Sequence, residues 1–141
     1  MFCHNAALSP NNVHITPIRG ISCDILPKLN TNKYDIIFID GTHRYLDVLN
    51  DITESERLLR LGDIICGDDL ELQLKQYDQE FAKINTQSEY ITDSRSGKYF
   101  HPGVTMPVSE FSGDVSSFSG FWAMRLTFGG YQMFLSQRQR G

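Results

Sequence analysis

The 141 residues hold only three cysteines, Cys3, Cys23 and Cys66, and none stands in Cys-x-x-Cys spacing. An odd number without that spacing excludes a disulfide framework and a zinc ribbon. It reads instead as buried or incidental thiols in a reducing compartment. Positive charge is also short: 13 Lys and Arg against 17 Asp and Glu give a net charge of −4. No global field therefore draws in nucleic acid or anionic lipid, and Arg138 and Arg140 read as a solvated tail. No apolar run approaches the roughly 20 residues that cross a bilayer, and the N-terminus has no signal-peptide core. The expectation is a cytoplasmic protein without nucleic-acid or membrane partners. The remaining balance, 40% hydrophobic with 21% charged, suits one domain over residues 1–141.

Against that background one constellation stands out. Tyr34-Asp-Ile-Ile-Phe-Ile-Asp-Gly-Thr-His43 is followed 24 residues later by Gly67-Asp68-Asp69. Ile36–Ile39 is a continuous β-branched and aromatic run, which reads as a strand buried on both faces. Ile64-Ile-Cys66 reads as a second. Between them Tyr45, Val48, Leu49, Ile52, Leu58 and Leu59 recur at helical spacing, with Asp47, Asp51, Glu54 and Glu56 on the other face. Gly62 suits a left-handed helix cap. Strand, amphipathic helix and strand make a βαβ unit, whose crossover should be right-handed.

The flanks are less regular. Ser9–Asn12 reads as a turn, and Val13–Ile18 alternates as a half-buried edge strand, with Pro17 lacking a ladder donor. Ser22 is placed to cap a short helix over about 23–29. A polar helix is expected over about 70–84, an exposed Ser/Thr/Asn-rich loop over 85–100, and another helix over 104–111. Residues 121–128 and 131–135 read as a hairpin about Gly129-Gly130. The predicted architecture is α/β, with parallel strands about 13–18, 35–40 and 63–67 and a C-terminal antiparallel hairpin about 121–135.

In an open parallel sheet, ligands bind beyond the carboxyl ends of the strands. Adjacent strands would bring Asp40, His43, Asp68 and Asp69 to one rim. Each strand-end aspartate serves either as a metal ligand or substrate acceptor, or as a turn cap. Three carboxylates on one rim repel unless a cation or a proton is shared, and hard oxygen ligands suit Mg²⁺, Mn²⁺ or Ca²⁺. The bland alternative has Asp69 capping the next helix while Asp68 alone faces the pocket. His43 is suited to remove a proton from a substrate hydroxyl, or to orient the loop through Asp40. His101 is a weaker candidate, His4 and His14 carry no signal, and Trp122 reads as core.

The segment Tyr34–Tyr45, with Asp51, Leu58–Ile65 and Gly67-Asp68-Asp69, resembles class I S-adenosylmethionine-dependent methyltransferases. The nearest group is the small-molecule O-methyltransferase-like set whose fourth strand ends Ile-Asp-Gly-x-His-x-Tyr and whose fifth ends Asp-Asp. The similarity covers about residues 13–70. The resemblance implies a Rossmann-like fold and S-adenosylmethionine as cofactor. Gly20, Ile21 and Ser22 would lie beside the adenine, and Asp40 and Gly41 would also border the cofactor. It further implies Mg²⁺ held by Asp40, Asp68 and Asp69, His43 as base, and a small hydroxylated acceptor.

Two departures accompany the likeness. Asp63 stands where a glycine is usual before the fifth strand. More seriously, no Gly-x-Gly-x-Gly precedes Val13, so the chain reads as the C-terminal part of such a domain, lacking the first βαβα portion. The strand at 36–39 would then present a bare apolar edge. Either 13–18 pairs with it, or a partner supplies a strand, or a missing N-terminal half covers it. Self-association through that edge is expected. The functional alternatives are a non-catalytic remnant acting by association and a metal-dependent hydrolase using the same acids.

Overall fold

The computed structural model describes residues 13–133. The expected turn at 9–12, the end of the hairpin beyond Met133 and the 138–140 tail lie outside the described residues. Within them the fold is mixed α/β, consistent with the Rossmann-like architecture that the motifs imply. A five-stranded sheet is parallel at one edge and antiparallel elsewhere. None of the helices among the described residues is long and apolar enough to cross a membrane.

Helix α1 (Ser22–Ile25) runs into a 3-10 turn at Leu26–Lys28. Strand β1 (Tyr34–Ile39), helix α2 (Tyr45–Leu58) and strand β2 (Leu59–Leu70) then form the expected βαβ unit. β1 and β2 are parallel, with Ile39 opposite Gly67. Val48, Ile52, Ser55 and Leu58 are the buried positions of α2, a stripe at helical spacing. Ser55 satisfies its buried hydroxyl by donating to the Asp51 carbonyl at 2.6 Å. The stripe packs with Leu59, Ile65 and Leu70 of β2 in the main core.

Further along lie α3 (Gln79–Ile84), the short strands β3 (Ile91–Thr92) and β4 (Tyr99–Phe100), and α4 (Pro102–Ser112). β5 (Ser116–Phe118), β6 (Gly120–Thr127) and β7 (Gly130–Met133) complete the sheet. β6 lies antiparallel to β2 on one side, and to β5 and β7 on the other. The C-terminal hairpin is therefore present, with Gly130 at φ 99° in its turn. Trp122, Met124 and Leu126 of β6 join the main core, along with Val104 and Val108 of α4.

Five expectations are corrected. Residues 13–18 form no strand and are exposed throughout. Pro17 removes a donor from the segment, and no partner strand accepts it. β1 is consequently an edge strand, and Ile36 and Phe38 are 61% and 53% exposed rather than covered on both faces. Gly62 is not a helix cap: α2 passes directly into β2 at Leu59, and Gly62 adopts φ 95° inside a register shift of β2. The helix expected over 70–84 is confined to α3. Its cap is Asp78, whose carboxylate accepts the Phe81 N–H at 3.1 Å. Leu72 and Tyr77 are buried nonetheless, in a second core with Ala82, Phe100 and Met106. Ser22 opens α1 as its first residue and caps nothing.

Candidate functional site

The two parallel strands deliver their acidic ends to one rim. β1 stops at Ile39, and Asp40-Gly41-Thr42-His43 leads into α2. On β2 the ladder to β6 steps from Gly67 opposite Trp122 to Leu70 opposite Gly120, so β2 carries one extra residue there. This is a β-bulge, a feature that re-aims side chains at sheet rims. Asp69 sits in it at φ 63°, in the left-handed region that aspartate tolerates better than most residues. Asp68 accepts the Asp69 N–H on Oδ1 at 2.9 Å, and its carbonyl accepts the Trp122 Nε1–H at 3.1 Å. Gly67 is required below the bulge. A Cβ there would lie 2.6 Å from the Ile39 carbonyl oxygen and 2.7 Å from the Trp122 ring.

Asp40, His43 and Asp69 each bring a ligand atom within 4.8 Å of the others. His43 Nε2 lies 2.9 Å from Asp69 Oδ2, and its Nδ1 lies 3.9 Å from Glu89 Oε1. A second set, Asp69, Glu71 and His101, converges equally closely and shares Asp69. Glu71 holds His101 twice, accepting its backbone N–H at 3.1 Å and bonding Nδ1 at 2.7 Å. The two imidazoles meet edge to face, with ring centroids 4.5 Å apart. An open cleft of about 530 Å³ adjoins them, lined by Gly41, Thr42, His43, Arg44, Gln87 and Glu89. Among the described residues, no Lys or Arg is paired with Asp40, Asp69, Glu71 or Glu89.

Of the residues singled out from sequence, Asp40, His43 and Asp69 are brought together. Asp68 borders the same rim, in a pocket of about 10 Å³ with Asp40 and Asp69, but belongs to neither converging set. The three aspartates expected to hold Mg²⁺ thus share one rim, and the converging set joins Asp40 and Asp69 with the imidazole of His43. Gly20 and Ile21 are exposed at the start of α1, and Ser22 is half-buried. Trp122 is core, 1% exposed. Sequence reasoning missed Glu71 and Glu89 and ranked His101 low. Glu71 stands two residues beyond Asp69, a signal hidden by placing it on a helix. Glu89 had no signal beyond its polar surroundings.

Tyr45, at the start of α2, donates its hydroxyl to Glu110 Oε2 at 2.7 Å. That bond to a carboxylate, with some burial, raises its pKa above the usual tyrosine value. α4 approaches the loop closely at Gly103, and so fixes where the His43 backbone lies.

Residues 4–70 match a family model described as a methyltransferase domain. The match ends at Leu70, the end of β2, and includes Asp40, His43, Asp68 and Asp69 but not Glu71, Glu89 or His101. Over that segment, just under half of the chain, the likeness supports methyl transfer in general. No curated protein and no solved structure gave a significant match.

Proposed function

We propose that this chain transfers a methyl group from S-adenosylmethionine to a hydroxyl of a small molecule, with His43 as the base. The observation that carries the reading is the His43–Asp69 pair at the mouth of the cleft. Donation of Nε2–H to the Asp69 carboxylate fixes the tautomer and leaves the Nδ1 lone pair on the side of Glu89. A carboxylate that orients an imidazole and stabilises its protonated form is the arrangement proton abstraction needs. The methyltransferase match over both strand ends supplies the reaction class.

S-adenosylmethionine, when bound, supplies an electrophilic methyl group. Gly20, Ile21 and Ser22 would flank its adenine, and Asp40 and Gly41 would border it from the β1 side. The acceptor would lie in the cleft between Gly41–Arg44 and Gln87–Glu89. There His43 would hold the hydroxyl in line and take its proton as the new O–C bond forms and the methyl–sulfur bond of the donor breaks, the sulfur leaving as the neutral thioether S-adenosylhomocysteine. Mg²⁺ assistance has no part in this reading, because the converging donors include an imidazole. The bare edge of β1 would pair with a strand of a second copy.

Calorimetric titration with S-adenosylmethionine tests the proposal. Saturable heat is expected, and none at millimolar cofactor would leave the chain a non-catalytic remnant. His43→Gln should keep the cofactor affinity while slowing transfer to hydroxyl acceptors by about 10²–10⁴-fold.

A further inference from the structure

Asp69, Glu71 and His101 form a donor set of which methyl transfer uses only Asp69. We propose that they bind a divalent transition-metal ion of the Zn²⁺ or Mn²⁺ class, one carboxylate bulge away from His43. Three observations carry this. The ligand atoms already lie within 4.8 Å of one another, before any ion draws them in. The set mixes imidazole nitrogen with carboxylate oxygen, a chemistry that suits Zn²⁺, Mn²⁺ and Fe²⁺ and disfavours Mg²⁺. Of the surrounding carboxylates, Asp69, Glu71 and Glu89 are each paired with a histidine, and Asp40 stands beside them in the converging set with His43 and Asp69. Such a concentration of negative charge is relieved by a cation.

The second layer is also in place. His43 donates to Asp69 Oδ2 and leaves the other carboxylate oxygen for a metal. Ligating carboxylates are commonly held by hydrogen bonds of this kind. Glu71 and His101 come from separate elements, the turn after β2 and the residue that precedes α4, and both are positioned by the His101 N–H bond to Glu71. Three protein ligands leave coordination positions open, as sites that accept a substrate atom do. Glu71 and His101 lie beyond the segment that matches the methyltransferase domain. These two ligands therefore stand apart from the methyl-transfer reading, which shares only Asp69 with the metal site.

Titration of the metal-free protein with Co²⁺, followed by its visible absorption, tests it without cofactor or acceptor. One equivalent should bind, Zn²⁺ should displace it, and Mg²⁺ in hundredfold excess should not. His101→Ala and Glu71→Gln should each weaken binding at least tenfold, since even residues that merely support ligands are worth about 10–100-fold. Glu71→Gln keeps an acceptor for the His101 N–H, so it preserves the start of α4 if His101→Ala unfolds. Asp68→Asn should change nothing. Absence of Co²⁺ binding, indifference to both Glu71→Gln and His101→Ala, or loss on Asp40→Asn alone would each overturn the assignment.

Discussion

Gly103, the second residue of α4, holds the candidate site in place by having no side chain. A Cβ built there would lie 2.0 Å from the His43 carbonyl oxygen, 2.7 Å from the Tyr45 nitrogen and 2.9 Å from the His43 carbonyl carbon. Close carbon–oxygen contacts in proteins settle at about 3.3 Å or more, so the two segments must part by roughly 1.3 Å. All three atoms are main chain, and no rotamer relieves the clash. Alanine would gain about 1 kcal/mol in helix propensity, while overpacking of this kind costs about 1–3 kcal/mol and occasionally more. With backbone on both sides the upper end applies, which leaves Gly103→Ala destabilised by about 2 kcal/mol. For a chain of this size that is a fall in Tm of roughly 8 °C. Urea unfolding measures it, with Gly129→Ala as the control. No atom lies within 4 Å of a Cβ at Gly129, so that variant should stay within about 0.5 kcal/mol of the parent. A displacement of 1 Å also separates His43 from Asp69 and should cost on the order of 10²-fold in methyl transfer. A Gly103→Ala protein as stable as the Gly129→Ala control would refute the reasoning.

Asp93 is 1% exposed and accepts the backbone N–H groups of Asp78 at 2.7 Å and Ser96 at 2.6 Å. Burial alone would raise its pKa, but these bonds outweigh it and hold the carboxyl below the usual range. Its contribution to stability is therefore full above the unfolded value of about 3.9 and is lost as pH falls through the lower folded value. Asp93→Asn should be less stable at neutral pH and show a shallower loss below pH ~4 in acid-unfolding curves; identical slopes would reject this role. The bare edge of β1 predicts concentration-dependent association in sedimentation, reduced by Phe38→Lys, since an inward or exposed edge charge opposes strand addition. A monomer at all concentrations would remove that proposal.

The βαβ unit was legible because its signals are local and redundant: an apolar β-branched run, a helical stripe through Val48, Ile52 and Leu58, and a second short strand. That unit carries Asp40, His43, Asp68 and Asp69 to one rim, but the choice of Asp69 over Asp68 comes from the bulge against β6, which lies outside it. What misled were patterns whose meaning depends on partners. Val13–Ile18 alternates like a strand, but alternation does not create a neighbour to bond with, and Pro17 weakens the ladder further. The apolar spacing of Leu72 and Tyr77 marks burial in a second core rather than a helix. Gly62 carries a positive φ, as a cap would, yet it serves a register shift. Glu71 and His101 meet across 30 residues of chain, a distance over which sequence spacing carries no information.

The bulge in β2 decides which of two adjacent aspartates enters the site, and this can be separated from charge. In an unbroken strand Asp68 and Asp69 would point to opposite faces. The extra residue between Gly67 and Leu70 puts Asp69 at φ 63° and its carboxylate against His43, while Asp68 turns back to bond the Asp69 N–H. Asp69 therefore has two tasks, a backbone conformation and a negative charge. Asparagine keeps the first and loses the second; alanine loses both, and a left-handed residue with a plain Cβ costs about 1–2 kcal/mol. Asp69→Asn should thus remain near parental stability, and should even gain where Asp40 and Glu71 no longer face a third charge. Asp69→Ala should be less stable by about 1 kcal/mol or more. Both should release the His43 tautomer, readable in its ring nitrogen chemical shifts. Equal stability of the two variants would mean that the backbone, not the residue, sets the bulge. An unchanged His43 spectrum in both would mean that Asp69 does not hold the imidazole.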